Sequence, residues 1–503
     1  MRKKITLLLA GVMTAALLAA CGGKTADSQT KTVESIDDLE GAKIGVQLGT
    51  TGDIYASDYE GDEAGTTVER YNKVTDAMQA LKQGKIDCVI ADEQPAIASV
   101  EKEGGLLILD DPFALEDYAI CIAKGNDELL SQVNTAVEEL KADGTLDQII
   151  DNYIGDDTKG TCPYVTPEGT TYENGTLVVA TNATFQPYEY YVDGEVVGID
   201  MDMIKAVGDK LGMDVQIEDM EFDAIINAVN SGKADVGVAG MTMTEERAKS
   251  INFSTSYITS KQVIVVRDSS VTVEKQTFID KLKSNFIDEQ RYAYLLKGLR
   301  NTLVIALCAV IIGVIIGFLV AIVRVTYDKT GNWAILNAIC KLYLTIIRGT
   351  PMMVQLLIIF YVVFKSVSIS KVAVAIIAFA INSGAYVAEI MRGGIMSIDD
   401  GQMEAGRSLG LSYGETMKSI ILPQAIKNVL PALANEFIQL VKETSICGYI
   451  GLIDLTRGGD IIRSQTYEAL IPLLAVAIIY LIIVQALTVL VGKWEKSLRK
   501  AEA

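Results

Sequence analysis

The chain has 503 residues, no histidine, and 44 Lys+Arg against 64 Asp+Glu, a formal charge of −20. That length accommodates about three domains. The acidic balance excludes nucleic acid as a partner, because such binding needs basic stripes that displace counterions. The missing histidines exclude Ser-His-Asp and Cys-His nucleophile chemistry and any His-ligated zinc.

Charge is unevenly placed. From Lys297 onward, 19 Lys+Arg face 13 Asp+Glu for a net +6, which leaves −26 on the 296 residues before it. An acidic front and a basic, apolar back predict a soluble ectodomain joined to a membrane domain. The seven cysteines form no C-x-x-C pair, so no metal or redox centre and no cofactor are expected. Cys88 and Cys121 lie in apolar, strand-like runs and are expected to be small buried hydrophobes.

Residues 1–21 open with Met-Arg-Lys-Lys, continue with an apolar run from Ile5 to Leu18, and end in small residues at Cys21. This is the pattern of a secretory signal. Leu18-Ala19-Ala20-Cys21 further resembles a lipoprotein box, which implies lipidation of Cys21. Residues 22–35 read as a polar, flexible tether.

Between residues 36 and 267 a pattern appears twice: an amphipathic helix, a Gly-Lys stop and a buried strand. Val74, Met78 and Leu81 precede Gly84-Lys85 and the strand IDCVIAD; Phe222, Ile225 or Ile226, and Val229 precede Gly232-Lys233 and ADVGVAG. Alternating strands and helices predict two α/β lobes with largely parallel sheets and a ligand crevice at the strand C-termini.

Residues 176–267, with LVVATNATFQPYEYY, VGIDMDMIKAVGDKLG and the expected hinge strand QVIVVRD, resemble the first lobe of polar amino acid binding proteins. Residues 36–117, from LEGAKIGVQLGTTG through IDCVIADEQPA, resemble their second lobe, and 118–155 their closing hinge strand and last helices. The resemblance implies a two-lobed, type II periplasmic-binding-protein-like ectodomain whose order is circularly permuted, with 156–175 as the new link. The combined length suits one receptor rather than two.

On that resemblance, Arg247 matches the family's clamp for a ligand carboxylate and Asp92 its acceptor for the ligand ammonium. Thr242, Gly240, Thr50 and Thr51 match positions that supply hydroxyls and backbone N–H groups; Phe185 and Phe222 match aromatic walls. Asn182 stands where receptors for basic amino acids tend to carry an acid, and Gln47 points at the same region. Together they favour a neutral polar amino acid, such as glutamine or cystine, over arginine or lysine.

After a linker at 268–296, residues 297–498 hold long uncharged runs at 301–323 and 469–492, with shorter ones at 349–364 and 372–388. The first two are long enough for the ~30 Å hydrocarbon core, and the shorter ones become spanning with their flanks. A fifth candidate, 428–449, carries Glu436, Lys442 and Glu443 and must face protein or a cavity. Five helices with the ectodomain outside put the C-terminus in the cytoplasm. The expected inner segments hold twelve Lys+Arg, the outer loops only Lys365, Lys371, Arg457 and Arg463. Gly313 and Gly317 form a G-x-x-x-G of little discriminating power. Pairing of Glu389 with Arg392 is favoured over a place on the substrate path.

The inner segment 401–423, GQMEAGRSLGLSYGETMKSIILP, has Glu404-Ala405-Gly406, then Gly410, then Leu422-Pro423. It resembles the EAA loop of ABC importer permeases, with Gly406 where the family usually has alanine. The resemblance implies a short helix pair that docks on a cytoplasmic ATPase, with Gly410 at a sharp turn and Pro423 restarting the chain towards the membrane. Ile347-Arg348-Gly349-Thr350-Pro351 and Val441-Lys442-Glu443-Thr444-Ser445 resemble the polar amino acid branch.

The only G-K-[ST], Gly23-Lys24-Thr25, lacks the upstream glycine of a P-loop, so an ATPase dimer must be a separate partner. The expected partners are thus a polar amino acid, that ATPase, the membrane and a second permease copy. The whole reads as a bacterial cell-membrane transport subunit and no enzyme. A ligand-gated channel on the same lobes would need a re-entrant filter, and a signalling receptor a long cytoplasmic output domain.

Overall fold

The computed structural model describes residues 31–61, 65–155, 157–268, 277–365, 367 and 369–500. The signal segment and Cys21 lie outside the described residues.

Eleven strands build two sheets. They are β1 (Lys43–Gln47), β2 (Thr67–Tyr71), β3 (Cys88–Asp92), β4 (Leu106–Ile108), β5 (Ala114–Tyr118) and β6 (Cys121–Ile122). Then follow β7 (Thr176–Thr181), β8 (Asp214–Asp219), β9 (Val236–Gly237), β10 (Asn252–Phe253) and β11 (Ile258–Arg267). The second-lobe sheet runs β2-β1-β3-β11-β4, with β5 also on β11; the first-lobe sheet runs β8-β7-β9-β6-β10. The strands β1, β2 and β3 are parallel, as are β7, β8 and β9.

The inner strands β1, β3 and β7 are buried along most of their length because helices cover both faces, whereas β2 and β8 at the sheet edges are more polar. All five residues of β3 are buried. Met78 and Leu81, on the helix Val74–Lys82, pack on one face of the second-lobe sheet, and Ile44, Ile90 and Ile264 fill the other. Cys88 and Cys121 are buried and free, as expected of small hydrophobes.

Each sheet contains a strand distant in sequence. β6 lies between β9 and β10, and β11 lies between β3 and β4. Residues 36–267 therefore form one two-lobed unit. The expected hinge strand QVIVVRD is instead the body of β11, with Ile264 and Val265 fully buried. Its β-branched residues have sheet neighbours on both sides, so they form core. The chain crosses between sheets just outside it, at 119–120 and 254–257.

In the membrane part, three described helices are long and apolar enough to cross a bilayer: Tyr292–Thr330, Lys371–Met396 and Leu470–Lys496. A further pair, Ala334–Gly349 and Met352–Val363, is bent by 110° and provides a fourth crossing if it acts as one span. The sequence reading expected a spanning helix there. Pro351 accounts for the difference: it disfavours helical backbone at Thr350, whose φ and ψ are −121° and 146°. The fifth expected span lies six residues earlier than placed, at Leu422–Glu443, and its Lys427, Asn428 and Glu436 make it too polar for a lipid-facing crossing.

The helix Lys371–Met396 is central, with Ala375, Ala378, Phe379 and Val387 buried, whereas Leu481, Ile482 and Leu490 on the last helix stand exposed for lipid. Both glycines of the G-x-x-x-G pack on that central helix. A Cβ at Gly317 would lie 2.6 Å from Val387 Cγ1 and 2.8 Å from the Ala388 nitrogen. Gly317→Leu is therefore expected to destabilise the helix pair by about 1–3 kcal/mol or more. Gly393→Ala, with nothing within 4 Å of the new Cβ, is expected to be neutral. Equal thermal midpoints for these two variants of the detergent-purified protein would contradict the packing.

Candidate functional site

A narrow cavity lies between the lobes, at strand C-terminal ends. The second lobe contributes Gln47 from the end of β1, Thr50 and Thr51 at the start of the helix Thr51–Ser57, and Asp92 from the end of β3. The first lobe contributes Asn182, Phe185, Phe222, Gly240 and Arg247. Nine of the ten expected residues thus line one cavity; Thr242 does not.

Arg247 is the centre of the site. Thr244 caps the helix Glu245–Ser250 by accepting from the Arg247 backbone N–H, which fixes where the side chain starts. The guanidinium is buried over the Phe222 ring, 5.5 Å from its centroid. It donates to the Thr242 carbonyl at 2.7 Å and, across the cleft, to the Gly49 carbonyl at 2.7 Å. Burial lowers its affinity for a proton, opposed by the nearby Glu116. Its donors face neutral dipoles, so its charge is solvated without being cancelled.

Asp92 precedes a helix but makes no capping bond; it accepts instead from the Tyr118 hydroxyl. Burial, reinforced by Glu116, pushes its carboxyl up to about 7. Asn182 is fully engaged: its Nδ2 donates to the Met220 carbonyl at 2.7 Å, and its Oδ1 accepts from Thr184 at 2.8 Å. Gln47 reaches the same oxygen from the other lobe at 3.5 Å.

Two expectations need correction. The Thr242 hydroxyl donates to Glu116 at 2.9 Å and its carbonyl holds Arg247, so Thr242 positions the arginine from outside the cavity. The Gly240 N–H donates to Asp200 at 2.8 Å and is not free for a ligand. The reason is shared: both backbone stretches pack against buried acids from other elements.

Those acids were missed by the sequence reading. Glu116 on β5 collects Thr242 and Gln262, the latter at 3.1 Å. Glu189 lines the cavity and is fully buried beside Asp200. Burial, then Asp200, raises its carboxyl well above the usual range. Asp200 itself is pushed up to about 6 by burial.

On the membrane side, the expected coupling loop forms two short helices, Asp400–Ser408 and Tyr413–Thr416. Gly410 lies between them with φ of +88°, a conformation costly for any residue with a β-carbon. Glu404, Ala405, Gly410 and Pro423 are exposed, whereas Leu422 packs inward near Val325 and Ile421. Gly406 is buried where the two helices meet; a Cβ there would lie 2.5 Å from Thr416 Cγ2. Glycine in place of alanine thus permits that close approach. Pro423 lies in the first turn of Leu422–Glu443, directly after the wide helical turn Met417–Ile421, where the helix leading back into the membrane part starts as expected. Glu389 pairs with Arg392 at 3.0 Å, as favoured.

The chain belongs to the bacterial extracellular solute-binding proteins, family 3, whose profile matches residues 61–156 and 177–445. Joined to that binding unit in the same polypeptide is a permease of the polar amino acid ABC importers. The arginine transport system permease protein ArtQ of Bacillus subtilis is 38% identical over 208 residues, 41% of this chain and 93% of that protein. The glutamine transport system permease protein GlnP of Escherichia coli K12 is likewise 38% identical over 208 residues, 41% of this chain and 93% of that protein. A solved amino acid ABC transporter with histidines is 38% identical and covers 44% of this chain and 99% of its own, with a TM-score of 0.40. The permease relatives also decide against the channel reading, despite the bent pair at Gly349–Pro351.

Proposed function

We propose that this chain captures a polar amino acid outside the cell and passes it through its own membrane helices, powered by a separate cytoplasmic ATPase dimer. The observation that carries the reading is the cavity in which Arg247 and Asp92 meet from opposite lobes. An α-amino acid zwitterion needs one buried cation and one buried anion, and Arg247 and Asp92 are that pair. The wall beyond them includes the Asn182 amide in place of an acid, which favours glutamine over arginine.

The wiring of β6 and β11 supports a circular permutation, with 156–175 as the new link between former chain ends. Three of the four cations in the expected outer loops, Lys371, Arg457 and Arg463, touch the binding unit, which supports an extracytoplasmic face for it. The C-terminus is then cytoplasmic, two copies form the permease, and Cys21 carries the lipid anchor.

Truncating one member of a desolvated ionic contact costs about 2–5 kcal/mol, so Arg247→Ala is expected to weaken glutamine binding by at least about thirtyfold. Calorimetry that returns an unchanged Kd removes Arg247 from the site.

Binding is also expected to depend on pH, because the ligand ammonium needs Asp92 ionised. Since Asp92 in the free protein titrates at about 7, binding below that pH must expel a proton. Affinity is expected to fall by up to about tenfold per unit as pH drops below about 7, and to be flat just above it. Asp92→Asn abolishes that slope; a pH-independent wild type rules out the ammonium role.

Gly410→Val and Glu404→Lys are expected to abolish ATP-driven uptake into proteoliposomes while leaving Kd unchanged. Normal uptake by both variants excludes the loop as the ATPase contact.

A further inference from the structure

Where the first lobe meets the membrane part, a cavity of about 440 Å³ opens between the edge strand β8 and the segment that follows the bent helix pair. Gln216 and Glu218 of β8 line one side, and Phe360, Val367 and Ile369 line the other. Three cations reach it: Lys233 from the first lobe, and Lys365 and Lys371 from the membrane part.

The charges do not balance. Lys371 is matched by Glu218 at 2.5 Å. Lys233 faces only weaker partners. Its Nζ donates to the Phe364 carbonyl and, at 3.4 Å, to the Val367 carbonyl, and it lies 5.0 Å from the centroid of the Phe360 ring. Burial lowers its pKa, and no carboxylate opposes that shift. Lys365 is exposed, and unlike Lys371, Arg457 and Arg463 it makes no ion pair with the binding unit among the described residues. The cavity thus carries two cations beyond the one that its described carboxylate, Glu218, neutralises.

The rest of the rim is apolar and runs on into the membrane part. Val367 is half exposed. On the helical segment that leads to the cavity, Val354 and Ile358 stand exposed one turn apart on the same face, with Val362 and Val363 exposed beyond them. A strip of branched apolar side chains beside a polar, cationic cavity suits a molecule with a charged head and a hydrocarbon body.

We propose that this cavity holds the phosphate of an anionic phospholipid, with the ammonium groups of Lys233 and Lys365 on its oxygens and an acyl chain along Val354, Ile358 and Val362. The uncompensated lysines set the sign of the ligand, and the apolar strip sets its class. A soluble phosphate ester satisfies the lysines but leaves the strip bare. A zwitterionic lipid covers the strip but brings a further cation to the two already there. This assignment requires that the long apolar helices sit in a bilayer and is independent of the importer reading.

The test is native mass spectrometry of the detergent-purified full chain, titrated with phosphatidylglycerol, with phosphatidylcholine of the same acyl chains, and with soluble glycerol phosphate. The wild type is expected to prefer phosphatidylglycerol over phosphatidylcholine by about thirtyfold, roughly fivefold for each lysine. Lys365→Gln, at an exposed position that leaves folding untouched, is expected to weaken phosphatidylglycerol binding about fivefold, and Lys233→Gln/Lys365→Gln to abolish the preference. Equal binding of the two lipids by the wild type overturns the inference, and so does a Lys365→Gln variant that binds phosphatidylglycerol as tightly as the wild type. Glycerol phosphate that displaces phosphatidylglycerol at equal concentration assigns the cavity to a soluble phosphate ester and overturns the lipid.

Discussion

A guanidinium taken out of water must find an oxygen for each of its faces, and Arg247 finds them on two different lobes. The Thr242 carbonyl comes from its own lobe, the Gly49 carbonyl from across the cleft. Opening the cleft removes the second of these and returns that side of the arginine to solvent. Lobe position and arginine solvation are therefore one equilibrium. A proposed ligand carboxylate shifts it only by the margin by which it outcompetes water and the Gly49 dipole. The remaining polar groups, Glu116 through Thr242 and Asp200 through Gly240, keep the backbone around that arginine in place.

Much of this architecture was legible because it is written in local periodicity. The helix Val74–Lys82 and the strand β3 follow from the spacing of Val74, Met78 and Leu81 and from an unbroken apolar run. Nine cavity residues came from family motifs, since no local pattern distinguishes Arg247 in Glu-Glu-Arg from a solvated helix face. The placement of β6 had no local signal at all. Two residues, Cys121 and Ile122, cannot announce which sheet they join, and only the resemblance to closing segments pointed there.

What could not be read has a common physical origin. Glu116, Glu189 and Asp200 each sit in a stretch where an isolated acid normally faces solvent. Their burial arises only when strands and helices far apart in sequence are brought together, so their interaction has no trace in any single window. Of the two expected hinge strands, the one opening 118–155 coincides with the crossing at 119–120, and QVIVVRD was misplaced for a related reason. QVIVVRD is a strongly β-branched run, and such a run is better used between two neighbouring strands than at a bending point. The break at Gly349-Thr350-Pro351 was readable in principle, since the residue before a proline is disfavoured in helical backbone; counting uncharged residues alone overlooked it.

The order of the pieces also determines how force can pass between the halves. The chain leaves the binding unit from β11, which lies inside the second-lobe sheet, so the covalent connection is to the second lobe. Among the described residues, Arg457 pairs with Asp219 and Glu221 and is almost fully buried, so these non-covalent contacts hold the first lobe. One lobe carries the covalent connection, and the other is seated on the short helix Leu455–Thr466. Solvent reaches the contact of Arg463 with Asp76 on the second lobe more than the sealed one at Asp219, so it contributes less to holding its lobe.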